Sequence, residues 1–292
     1  MFFLPTKETR ILCQGMTSRT GAVHAELALA YGSCIVAGTS EDKNVRKFLG
    51  VPVFKTVAEA VSKTKPDVSV IFSTPLHALA DVTEAIRAGI KMIVCGTENV
   101  SMHDALKMKA LANEAKVCLL GPSSMGIGAL GQTIVGTIPA QLFLKGDIGL
   151  VGRSSSLMWE AARQLAERKQ GLSYCVSLGA DHLIGTSFVP PVKALLADGR
   201  TQQILVIGQV HGELEYELAD FYKKQKDKKP LWVYIPGKAL ERSDKRPLLG
   251  MQTVKFADII EKKKQALESA GAHWVDGPDL FGQVIKKGRG KK

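Results

Sequence analysis

Short runs rich in Val, Ile, Leu and Cys alternate along the chain with longer stretches whose apolar residues recur every three to four positions. That alternation predicts β-strands joined by helical crossovers, the pattern of a parallel sheet covered by helices. In the first half the runs predict strands at 10–14, 33–37, 68–72, 91–95 and 117–120, with helices near 21–31, 57–64, 77–88 and 102–115. Lys145, Gly146 and Asp147 read as a turn, after which strands are predicted at 148–151, 174–178, 203–207, 231–235 and 272–275. Helices near 155–168, 187–197, 213–226, 254–270 and 279–287 fill the second half. The expectation is an α/β chain of two consecutive domains, residues 1–146 and 147–292, both with parallel sheets. The halves share architecture without a sequence repeat, and no low-complexity segment interrupts them.

Composition fits this picture. A length of 292 residues suits two domains at about 100 to 200 residues each, and 45% hydrophobic residues can fill two cores. No run approaches the roughly 20 apolar residues of a membrane span, and Met1 to Arg10 lack the apolar core of a secretory leader, so a soluble protein is expected. Cys13, Cys34, Cys95, Cys118 and Cys175 have no C-x-x-C spacing and sit mostly in apolar runs, as small core residues of a reducing compartment do. The formal net charge of +11 concentrates at Lys223, Lys224, Lys226, Lys228 and Lys229 and in the tail from Lys286 to Lys292. Such clusters are ordinarily solvated; they also leave open contact with RNA or another polyanion, although no aromatic residues interleave to stack bases.

Two loops carry candidate chemistry. Gly15-Met16-Thr17-Ser18-Arg19-Thr20-Gly21 follows the first strand and opens a helix, where backbone N–H groups and a helix N-terminus can hold a phosphate. The middle glycine of G-x-G-x-x-G is absent, and no acidic residue closes the second strand to hold a ribose, so NAD is not expected. Arg153-Ser154-Ser155-Ser156 likewise joins a strand to a helix, and Ser154, Ser155 and Ser156 are candidates for a phosphate site or for simple N-capping. His24, His77, His103, His182, His211 and His273 show no metal-ligand spacing, so no metal is expected.

From these residues outward the chain resembles the alpha subunit of succinyl-CoA ligase (succinyl-CoA synthetase). The segment 11–32, ILCQGMTSRTGAVHAELALAYG, is similar to the family's first strand, loop and helix. The similarity continues in order through 49–54, 88–91, Thr97-Glu98, Gly121-Pro122, Arg153-Ser154, Tyr234-Ile235 and 266–271. It implies a CoA-binding Rossmann-like domain followed by a flavodoxin-like ligase domain. It also implies a CoA site at Gly15, Thr17, Gly21, Lys43, Pro75 and Glu98. Some neighbours depart from the family: Ser18 replaces a loop glycine, and Glu41 and Asp42 bring negative charge toward the phosphates, a repulsion of about 1 kcal/mol or more unless Lys43, Arg46 and Lys47 offset it.

The largest departure is the nucleophile. The family passes a phosphoryl group through a histidine in a Lys-Arg-Met-Gly-His-Ala-Gly segment, and here Lys245-Arg246-Pro247-Leu248-Leu249-Gly250 stands instead. No histidine lies between His211 and His273, so Leu248 and Leu249 occupy the position. The family's glutamate beside that histidine is Gln209, neutral where a carboxylate would tune an imidazolium. The resemblance therefore implies a pseudoenzyme, a structural or regulatory subunit paired with a ligase beta-like subunit or a larger mitochondrial assembly. Two other readings stand beside it: an active acyl-CoA ligase using His211 as a relocated nucleophile, and an RNA-associated mitochondrial scaffold. The apolar run 247–251 is the expected partner-facing segment.

Overall fold

The computed structural model describes residues 2–42, 44–237 and 256–288. The first strand shows why the central strands form where they do: Ile11, Leu12 and Cys13 are buried on both faces, the signature of a parallel strand with helices on either side.

In chain order the first half runs β1 (Arg10–Gln14), α1 (Arg19–Tyr31), β2 (Cys34–Thr39), β3 (Lys47–Phe48), β4 (Val51–Phe54) and α2 (Val57–Thr64). It continues through β5 (Val68–Ile71), α3 (Ala78–Arg87), β6 (Met92–Cys95), α4 (Met102–Glu114) and β7 (Cys118–Leu120). The second half contains β8 (Gly126–Ala129), β9 (Thr133–Gly136), β10 (Lys145–Gly152), α5 (Ser155–Glu167), β11 (Leu172–Ser177), α6 (Val189–Ala197) and β12 (Gln203–Ile207). After these come α7 (Leu214–Lys223), β13 (Leu231–Tyr234), α8 (Phe256–Ser269), β14 (His273–Trp274) and α9 (Phe281–Gly288).

Among the described residues the strands form two seven-stranded sheets, ordered β3-β4-β2-β1-β5-β6-β7 and β14-β13-β12-β10-β11-β8-β9. Their centres are parallel, as expected. Each also gains an antiparallel edge that the hydrophobic pattern did not announce: β3 on β4 in the first, and the hairpin β8–β9 on β11 in the second.

That hairpin moves the change of sheet to 121–126, upstream of the boundary expected near residue 146. The turn expected at Lys145 to Asp147 is corrected outright, because these residues belong to β10. Lys145 and Ile148 both register against Leu172, so the extra residues are absorbed as a bulge in a continuous strand. Gly146 makes this feasible, since a Cβ there would run into the Gly171 carbonyl.

The crossing segment is tied to both sheets. Ser123 and Ser124 donate backbone N–H bonds to Thr97 O and Cys95 O at 2.9 and 3.2 Å, while Gly121 donates to Leu178 O at 3.0 Å. Ser124 Oγ donates to Ser177 O at 2.6 Å, and Ala180 N donates to Ser123 O at 3.1 Å. The carboxyl ends of β5, β6, β10 and β11 are thereby held around one opening, the position where ligands bind in doubly wound folds.

Candidate functional site

The first loop is shaped by its own contacts before any ligand is considered. Gly15 adopts φ +70°, and a Cβ there would lie 2.7 Å from the Phe72 carbonyl; one on Gly21 would collide with Gly15 O. Gly15 is thus required by the close approach of the loop to the end of β5, and Gly21 by the fold of the loop back on itself. Ser18 is the N-cap of α1: its Oγ accepts from Gly21 N at 3.0 Å and donates to Phe72 O at 3.2 Å. The residue that departs from the family's glycine has taken over helix capping. Thr17 Oγ1 is joined to Ser40 Oγ at 2.6 Å, which links the loop to the end of β2. Among the described residues, the N–H groups of Thr17, Arg19 and Thr20 have no partner in the chain, leaving donors at the α1 terminus for an anion.

A cleft of about 690 Å³ opens beside this loop, within the usual range for small-molecule sites. It runs from Thr20 and His24 on α1, past Pro75 and Glu98 at the ends of β5 and β6, to Ser124 and Met125 of the crossing segment and Ser155 and Trp159 on α5. Of the expected site residues it gathers Pro75, Glu98 and Ser155. Gly15, Thr17 and Gly21 shape the adjoining loop without lining the cleft, and Lys43 lies outside the described residues. Glu41 approaches His77, with Oε1 3.8 Å from Nδ1, and Asp42 Oδ1 accepts from Asn44 N at 2.9 Å, capping its own turn. His24 stacks on Phe72 at 5.6 Å, and partial burial holds its imidazole below the ordinary histidine range.

Sequence reasoning missed Thr20, His24, Met125 and Trp159. Three of them were within reach: Thr20 and His24 stand four apart on α1, and Trp159 stands four after Ser155 on α5, so each pair shares a helix face.

The second edge is organised differently. Ser154 caps α5, accepting from Leu157 N at 3.4 Å, while Ser156 is exposed. Arg153 is only 3% exposed and donates from Nε to Gly179 O at 3.3 Å and from Nη2 to Asp181 O; burial lowers its pKa, with the Glu215 and Asp181 charges acting the other way. Glu215 and Lys263 form an ion pair with 0% side-chain exposure and an Nζ–Oε2 distance of 2.6 Å. The loop carrying Gln209 and His211 hangs on this pair: Lys263 Nζ donates to Gln209 O at 2.9 Å and His211 O at 3.4 Å, and Glu215 Oε1 accepts from Gln209 N at 2.8 Å. His211 sits edge-on to His182, ring centres 6.1 Å apart, and does not line the cleft. Leu248, Leu249 and the whole 247–251 run fall outside the described residues.

Part of the basic cluster is already committed. Lys228 Nζ donates to Ala270 O at 2.9 Å and lies 4.8 Å over the Tyr222 ring, while Lys229 Nζ donates to Leu195 O at 2.9 Å and to Asp198 O. The five cysteines are free and four are buried; burial pushes the Cys13 and Cys175 thiols up to about 12, so neither is poised as a thiolate. Among the described residues no group of three His, Cys, Asp or Glu side chains is placed to hold a metal ion, and no helix is long and apolar enough to cross a membrane.

Two doubly wound sheets around one cleft make this an α/β protein of the ligand-binding type, and the comparisons give its class. Residues 6–99 match the family described as the CoA binding domain. The chain is 35% identical to the succinate–CoA ligase [ADP-forming] subunit alpha of Aquifex aeolicus, over 98% of this chain and 94% of that one. Identity to the subunit alpha 2 of Archaeoglobus fulgidus is 36%, over 98% and 99%, and to the malate–CoA ligase subunit alpha of Methylorubrum extorquens 31%, over 98% and 97%. The chain belongs to the succinate–CoA ligase alpha subunit family. Its fold is also that of the Methanosaeta concilii ATP citrate lyase, with TM-score 0.82 at 20% identity; the match covers 97% of this chain and half of the lyase chain.

Proposed function

We propose that this chain is a CoA-binding alpha-type subunit that serves a beta-like partner without carrying the phosphoryl group itself. One contrast supports the reading: Pro75, Glu98 and Ser155 share a formed cleft, whereas the loop at the second edge presents the neutral Gln209 and holds His211 beside His182, off the cleft wall. The donor set suits CoA. Unpartnered N–H groups at the start of α1 answer a phosphate, and the apolar walls of Leu27, Phe72, Ile138 and Pro139 answer a pantetheine arm. In this reading Gly15 and Gly21 hold the loop open, Thr17 fixes it to Ser40, and Glu98 and Ser155 face the thiol end.

The partner is proposed from the relatives' designation as alpha subunits, and a mitochondrial assembly from the family resemblance alone. Incubating the chain with a ligase beta subunit and ATP or GTP, or with succinyl-CoA and phosphate, should leave it without acid-labile phosphate. Phosphohistidine at His211, found by mass spectrometry, would instead establish the active-ligase reading, which His211's place at the carboxyl end of β12 favours.

A further inference from the structure

A second cavity, of about 400 Å³, opens where α4 of the first half meets α7 and the β11–α6 loop of the second, and it shares no lining residue with the cleft described above. Its shape follows from the way that loop is pressed onto β7. Gly185 N donates to Gly121 O at 3.0 Å, and a Cβ on Gly185 would lie 2.5 Å from Leu119 Cβ, so the loop backbone packs against the strand with no side chain between. Thr186 Oγ1 meets Cys118 Sγ at 3.4 Å on the same contact. The floor that results is apolar: Ile184 is buried, and Phe2 and Leu214 are half-buried against the main core.

Four polar side chains reach the same space. Lys109 and Asn113 stand one turn apart on α4, Ser187 precedes α6, and Glu217 lies on α7. Among the described residues none of these side chains has a hydrogen bond or ion pair, and the Lys109 ammonium and the Glu217 carboxylate are not paired with each other. We propose that this cavity is a second small-molecule site, for a zwitterion of the α-amino-acid type with an apolar side chain. Its carboxylate answers Lys109 and Asn113, its ammonium answers Glu217 and Ser187, and its side chain covers Phe2, Ile184 and Leu214. A simple anion would meet Glu217 and a simple cation Lys109, whereas a wholly apolar ligand would strip water from both charges without replacing it.

Calorimetry on the full chain with leucine, leucinamide and N-acetyl-leucine tests it. Leucine should bind at least about tenfold tighter than either derivative, since each has lost one charge. Lys109→Met should erase the preference over leucinamide, and Glu217→Gln the preference over N-acetyl-leucine; Glu217 is exposed, so that variant carries the test should Lys109→Met disturb folding. CoA should leave leucine affinity unchanged. The proposal is overturned if leucine does not bind at millimolar concentration, if the three ligands bind alike, if the variants keep the wild-type preferences, or if CoA displaces leucine, which would put it in the other cleft. None of these outcomes bears on whether CoA itself binds.

Discussion

The carboxyl edges of the two sheets are built from the same parts, a strand, a serine-capped helix and neighbouring loops, and use their polar groups in opposite ways. At the first edge the donors at the start of α1 and the Glu98 carboxylate face an open cleft. At the second, Arg153, Glu215 and Lys263 are buried and satisfied by the chain's own carbonyls and by each other. Binding through backbone N–H groups and loop shape survives substitution, since Ser18 can replace a glycine and still cap the helix. Phosphoryl transfer rests on one imidazole and has no such tolerance.

The largest effect that sharpens this contrast should come from the buried pair. Lys263→Met leaves Glu215 uncompensated and should cost about 3–5 kcal/mol in urea unfolding, whereas Lys263→Met with Glu215→Leu should recover most of it. If the single variant is neutral, the pair does not hold the second edge. Next, Gly21→Ala drives a Cβ into the Gly15 carbonyl and should cost about 1–3 kcal/mol, with CoA affinity falling more than tenfold by calorimetry. Unchanged affinity would separate the loop from the ligand.

Ser18 gives a smaller, two-sided test. Ser18→Ala should lose about 1 kcal/mol of stability with the N-cap, while Ser18→Gly should cost only a few tenths and raise CoA affinity by restoring close backbone approach. The smallest effect lies on α5. Arg163 and Gln164 bind the Glu160 carboxylate, Arg163 first, and hold its pKa down at about 2. Because the folded value lies below the unfolded one, this contribution is present above about pH 4.5 and is lost as pH falls toward 2. The Glu160 side chain is more than a third exposed, so the loss should stay under about 1 kcal/mol and vanish in Glu160→Gln, as read from denaturation midpoints at several pH values.

The central strands were legible as short continuous apolar runs, and nearly every helix because its burial is periodic. The edges were not. β8 and β9 read Gly-Ile-Gly-Ala and Thr-Ile-Val-Gly, and glycine-dense strands carry little propensity; pairing with β11 overrides that deficit. Pro52 hid β4 by interrupting Val51 and Val53, yet it points outward where its missing donor costs little. Lys263 looked like one solvated member of a lysine run, because nothing in the run marks which lysine faces Glu215 across 48 positions of chain. Pro75, Glu98 and Ser155 were singled out through loop motif and resemblance, whereas Met125 needed the two sheets placed together.

The hairpin β8–β9 has a consequence for the order in which the molecule assembles. β9 ends the second sheet, yet its outer side is covered by the first half: Ser33 Oγ donates to Ile134 O at 3.1 Å and accepts from Ile134 N at 2.9 Å, and Tyr31 Oη accepts from Gly131 N at 2.7 Å. During synthesis the hairpin emerges after α1 and before β11, so α1 is available to it first. A fragment starting after residue 121 would carry the same sheet with β9 uncovered, an open template for neighbouring chains, and should self-associate. The N-terminal half thus covers an edge of the sheet built by the half that follows it.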